Sequence, residues 1–250
     1  MTAQLAALCF DARDPVLLAG FWSGVLGWEA ADPAGDPRGD VTLLPNDDTG
    51  FRIVFLASEA EKTTQNQIHF DLTSTSEADQ QRTVARALEL GGRHVDVGQG
   101  PDATHVVLGD PEGNEFCVIA PGNKFLAECG FLGALACDGS QDVGYFWSRA
   151  LGWPLVWDQD QETAIRSPHG GPKITWGGPP FAAKTGKNRL CFEVAVAADA
   201  QEAEIDRLVS LGATRITGAT RITGRTNSVA MADPDGNEFF VSPSGPPRSR

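Results

Sequence analysis

The sequence predicts an α+β protein of four βαβββ modules grouped as two homologous halves, and three observations carry that prediction. FWSGVLGW (Phe21 to Trp28) returns as FWSRALGW (Phe146 to Trp153), and DPEGNEFCVI (Asp110 to Ile119) returns as DPDGNEFFVS (Asp233 to Ser242). HFDL (His69 to Leu72) and LELGG (Leu88 to Gly92) return as CFEV (Cys191 to Val194) and VSLGA (Val209 to Ala213). All four spacings fall between 121 and 125 residues, so residues 1–120 have a second copy at 131–243. PGNKFLAECG (121–130) joins the halves, and 244–250 reads as a frayed tail.

Each half opens on a short apolar strand, LAALCF or LGALAC. The first helix is announced by Asp14 as N-cap and Pro15 at its first position. Leu17, Leu18, Phe21, Val25 and Leu26 recur at helical spacing until Gly27 closes it. Strands are expected at VTLLP and FRIVFLA in the first half, and at TAIRS and PKITW in the second. QIHFDL restarts the pattern, followed by a helix from Glu77 to Leu90 ended by Gly91-Gly92, then RHVDV, THVVL and EFCVI. TRITGATRITG (Thr214 to Gly224) is a nearly doubled hexapeptide, read as a tolerated duplication in an edge loop or, alternatively, a selectivity loop.

Composition excludes several partners. At 41% hydrophobic and 21% charged, the chain has the balance of a soluble globular protein. A net charge of −13 repels phosphate backbones and anionic membranes, so neither nucleic acid nor membrane is expected as a partner. No apolar run approaches bilayer length, and the N-terminus lacks a signal peptide's basic region. The five cysteines form an odd set without CxxC spacing, which fits a reduced, cytoplasmic setting.

DPEGN and DPDGN are turn sequences: Pro111 and Pro234 pre-set φ, Gly113 and Gly236 supply positive φ, and Asp110 and Asp233 can accept backbone N–H groups. Side chains alternate along the strand that follows. Phe116 and Val118 therefore belong beneath the helices, while Glu115 and Cys117 look into whatever the sheet encloses. The same alternation pairs His69 with Asp71, Cys191 with Glu193 and Glu238 with Phe240.

Four βαβββ modules, the FWxxxLGW helix end and the DP[ED]GN strand start together resemble the vicinal oxygen chelate superfamily, which includes glyoxalase I, extradiol dioxygenases and bleomycin-resistance proteins. ARDPVLLAGFW, KNRLCFEV and DPEGNEFCV are most similar to its glyoxalase-like branch. The resemblance implies two glyoxalase-like domains with cupped mixed sheets and helices on the outer faces. It also implies, for metal-using members, a divalent ion (Zn, Fe, Mn or Ni) held by a first-strand His, a fifth-strand His and an eighth-strand Glu. Those positions fall on Ala7 and Ala134, on His69 and Cys191, and on Cys117 and Phe240. Neither half keeps the set, whether modules pair within halves or across them.

The expectation is therefore a small-molecule binding protein without a cofactor, acting as a monomeric pseudo-dimer or a homodimer. Candidate ligand-binding residues are His69, Glu115, Cys117, Trp157, Trp176, Cys191, Glu193 and Phe240, and the ligand is planar or hydrophobic because aromatic side chains could stack it. Two alternatives stand beside it. His69, Cys117 and Glu115 could hold a metal in a substituted lyase, isomerase or dioxygenase site, or Cys117 could act as a thiolate with His69 as base. The cavities could also be filled, leaving a structural or regulatory module. GGPPFAAKTGK (Gly177 to Lys187) and SEAEKTTQNQ (Ser58 to Gln67) are expected as cavity rims, and His94, His105 and His169 as surface residues.

Overall fold

The computed structural model describes residues 3–31, 39–100, 102–180, 184, 186–217 and 227–244. The first module comprises β1 (Gln4–Ala12), α1 (Pro15–Leu26), β2 (Glu29–Ala30), β3 (Val41–Leu44) and β4 (Arg52–Ala57). The second comprises β5 (Ile68–Leu72), α2 (Glu77–Glu89), β6 (Arg93–His94), β7 (Val106–Gly109) and β8 (Glu115–Val118). The third holds β9 (Leu132–Cys137), α3 (Gln141–Leu151), β10 (Leu155–Gln159), β11 (Glu162–Arg166) and β12 (Lys173–Trp176). The fourth holds β13 (Leu190–Ala197), α4 (Gln201–Ser210), β14 (Thr214–Arg215), β15 (Val229–Ala232) and β16 (Glu238–Ser244).

Local chemistry sets these elements as expected. Asp14 Oδ1 accepts from Leu17 N at 2.9 Å to cap α1, and Gly27 ends it in the left-handed region at φ 72°. Gly152 does the same for α3 at φ 68°. The serine of each FWS motif then locks the turn, Ser23 Oγ donating to Trp28 O and Ser148 Oγ to Trp153 O, both at 2.7 Å. The tail begins later than expected, because Ser244 ends β16 and its Oγ donates to Val196 O. Residues 245–250, and 218–224 of the doubled hexapeptide, lie outside the described residues.

Two eight-stranded sheets result. The first runs β14-β15-β16-β13-β1-β4-β3-β2 and the second β10-β11-β12-β9-β5-β8-β7-β6. Each takes one module from each half, joined by the antiparallel pairs β1–β13 and β5–β9. Within a half, the two modules meet through side chains instead. Trp22 of α1 packs edge-on against Phe70 at 4.8 Å and Phe116 at 5.0 Å, and Trp147 of α3 packs likewise on Phe192 and Phe239. Backbone hydrogen bonds thus tie the halves together, while aromatic packing ties the modules of each half. The helices bury Leu18, Phe21, Val143, Phe146, Ile205 and Leu208 into one continuous core. Among the described residues, no helix is long and apolar enough to cross a membrane.

Candidate functional site

The face of each sheet away from this core is where the alternation argument places chemistry. In-register partners share a face, so the first sheet carries Arg52, Ala7, Glu193, Phe240 and Ala230 in one row. Val54, Cys9 and Cys191 form the next. This cup is packed shut. Ala7, Cys9, Val54, Leu56, Cys191 and Phe240 form a second buried cluster, and Glu193, at 1% exposure, accepts from Arg52 Nη2 at 2.6 Å. A hydrogen bond to Cys191 together with burial holds the Cys9 thiol well above its usual range. Cys191, Glu193 and Phe240 thus sit together as predicted, but as packing rather than as an open lining.

The second sheet differs. One row reads Val107, Cys117, Asp71, Ala134, Lys173 and Arg166, and the next reads His69, Ala136, Thr175, Ala164 and Trp157. Ala134 is fully buried, while Ala136 and Thr175 are half-buried and make a low floor between two walls. On one side, donor atoms of His69, Asp71 and Cys117 all lie within 4.8 Å of one another, and all three residues are half-buried. His69 Nε2 is 3.5 Å from Asp71 Oδ1, with the imidazole 34% exposed. Burial works against its charge, but hydrogen bonds to Asp71 and Cys117 outweigh that and raise its pKa to about 10. On the other side, Trp157 meets Phe125 edge-on at 5.6 Å, and Lys173 Nζ lies 4.1 Å from the centre of the Phe125 ring and donates to Phe125 O.

Several expectations need correcting. Glu115 is not part of the His69–Cys117 cluster; it accepts from Lys62 Nζ at 2.6 Å and from Asn66 N, and Glu238 repeats this with Lys184 and Asn188 N. The carboxylate beside His69 is Asp71, two residues along its own strand. Trp176 lines only a 20 Å³ space on the core side, not the open face. It pairs with Thr163 on the core face and is 2% exposed. Residues 60–67 of the first expected rim, and Lys184, Gly186 and Lys187 of the second, line a 300 Å³ cleft with Asp11, Asp138, Asn188 and Arg189. Its cations are already matched, Lys187 to Asp11 and Arg189 to Glu112. His94 and His169 are exposed as expected, and His105 is half-buried.

Phe125 and Lys173 were missed by sequence reasoning. Phe125 comes from the joining segment, which carries no strand or helix periodicity. Lys173 reaches the site only because β9 of one half pairs with β5 of the other, a register that no local pattern encodes.

The glyoxalase-like domain model matches residues 7–119 and 134–242. No curated protein matches the chain. Glyoxalase I from Zea mays superposes with a TM-score of 0.64 at 13% identity, covering 97% of this chain and 92% of that one. A putative dioxygenase from Bacillus subtilis gives 0.60 at 14% identity, covering 98% and 86%. At such identities the likeness is one of fold. With both repeats matched, the chain belongs to the glyoxalase-like domain family, in two tandem copies.

Proposed function

We propose that this protein binds a small planar molecule on the open face of its second sheet, between the Phe125–Trp157 wall and the His69–Asp71–Cys117 cluster. The observation that carries this reading is the contrast between two equivalent faces: one is filled by Cys191, Phe240 and their neighbours, and in the other Ala136, the counterpart of buried Cys9, is half-buried beside half-buried His69 and Thr175. Trp157 offers an aromatic surface for stacking. His69, charged through its partners, offers a proton to a ligand oxygen, and Asp71 keeps the imidazole oriented. A fluorescence titration of the purified protein against planar metabolites tests it. Saturable quenching that is lost in Trp157→Phe supports the reading, and no binding by any planar ligand sinks it.

A second reading follows from the donor set itself. The family's usual ligands do not fit, because Ala7 and Ala134 stand at the first-strand positions and Cys117 and Phe240 at the eighth. A different trio does fit: His69 nitrogen, Asp71 oxygen and Cys117 sulfur converge, and mixed N, O and S donors suit zinc or ferrous iron. Bound there, such an ion would supply Lewis acidity toward a ligand oxygen. Loading requires the imidazole proton and the thiol proton to leave, so protons and metal compete for the cluster. Elemental analysis of protein purified without chelator decides: one zinc or iron per chain, lost in His69→Ala and in Cys117→Ser, establishes this reading over the metal-free one.

A further inference from the structure

This inference rests on the planar-ligand reading and narrows the ligand's class. Among the described residues, nearly every basic side chain that is withdrawn from solvent has a carboxylate partner: Arg52 with Glu193, Lys62 with Glu115, Arg189 with Glu112 and Arg207 with Glu204. Lys173 is the exception. It is half-buried, and its ammonium group donates to one carbonyl, Phe125 O, without an ion pair to any described carboxylate. In a chain of net charge −13, a withdrawn cation left unmatched is unexpected, because burial of a charge is costly without a counter-charge. An ammonium group carries three N–H donors, so further donors remain for a ligand.

A second donor lies close by. The indole Nε1 of Trp157 is buried without an acceptor, and Trp157 touches the same Phe125 ring over which Lys173 sits. Two donors short of acceptors thus border one aromatic ring and call for an anionic acceptor. The opposite wall already has its own negative group in Asp71, across Ala134 from Lys173. Asp71 is already matched by His69 on its own wall, so Lys173 is the cation of this face without a carboxylate partner among the described residues.

We infer that the ligand is a planar organic carboxylate, its carboxylate held by Lys173 and the Trp157 N–H and its ring system extending over Ala136 and Thr175 toward His69. Lys173 is then the residue that sets specificity for charge.

The experiment is isothermal titration calorimetry with 2-naphthoate and its uncharged counterpart 2-naphthamide. A charge-assisted hydrogen bond in a partly buried site predicts roughly ten- to hundredfold tighter binding of the carboxylate. Lys173→Met should abolish that preference, and Lys173→Arg should retain part of it. The comparison in the unaltered protein stands even if Lys173→Met folds poorly, which its circular dichroism reports. Equal binding of acid and amide overturns the carboxylate assignment but leaves the planar-ligand reading intact. A preference that survives in folded Lys173→Met overturns the role of Lys173. Binding of neither compound overturns both readings.

Discussion

Trp22 and Trp147 show what the repeated motifs are for. Each indole Nε1 donates to the aspartate of a DP[ED]GN turn, Trp22 to Asp110 Oδ2 at 3.1 Å and Trp147 to Asp233 Oδ2 at 3.2 Å. The other carboxylate oxygen takes two turn amides, those of Glu112 and Asn114 or of Asp235 and Asn237. The turn was legible as a turn, and its aspartates as backbone acceptors. That it anchors a tryptophan almost ninety residues upstream was not, because nothing local links the two. Trp147→Phe should therefore destabilise the fold by roughly 1–3 kcal/mol, the cost of leaving a buried acceptor short of a donor, measured by urea denaturation. Burial, opposed by the bonds to Asn237 and Trp147, raises the Asp233 pKa to about 6, and Asp110 is raised for the same reason. The fold thus prefers the protonated acid relative to the unfolded chain. Its contribution to stability is complete below the unfolded value of 3.8 and is lost as pH rises through about 6. The Asp233 carboxyl carbon should titrate near 6 by NMR, and a midpoint at the ordinary aspartate value would contradict the burial argument.

Two helical glycines at non-equivalent positions of the repeat, Gly20 (aligned with Tyr145) and Gly144 (aligned with Ala19), differ in what they tolerate. A Cβ on Gly20 of α1 would meet nothing within 4 Å, whereas one on Gly144 of α3 would lie 1.9 Å from Thr163 Oγ1. Gly20→Ala should accordingly stabilise the protein by about 0.5–1 kcal/mol through helix propensity. Gly144→Ala gains the same propensity but forces apart α3 and β11, and should cost about 1–3 kcal/mol net. Thermal melts of the two variants check both signs. Helix starts and stops were readable from Asp14, Pro15 and Gly27 because caps act over three or four residues. The identity of the strand against which a helical glycine lies is a matter of packing, and no cap reports it.

Over the whole molecule, the repeat revealed how many modules there are but not how they pair. Apolar alternation makes every module's first strand a plausible neighbour of every other, and the β1–β13 and β5–β9 pairings are settled only when four modules share one core. His69, Cys117 and Trp157 could be found from the sequence, whereas Lys173 and Phe125 could not, since one arrives by the pairing of the halves and the other from the joining segment. Because both sheets cross the halves, the two repeats should not melt separately. Denaturation followed by far-ultraviolet circular dichroism and by tryptophan fluorescence should give one coincident transition. Two resolved transitions would mean that each repeat holds a core of its own.

The joining segment has a further consequence. In a dimer of two identical, separate chains, every substitution would appear on both cups at once, and any face that filled would fill twice. Tandem fusion releases that constraint: the residues at 191 and 240 can close one cup while 69 and 117 drift independently in the other. Fusion also creates ten residues with no symmetry mate, and Phe125 is one of them. A filled cup beside an open one bordered by Phe125 is thus an asymmetry that two identical chains could not hold.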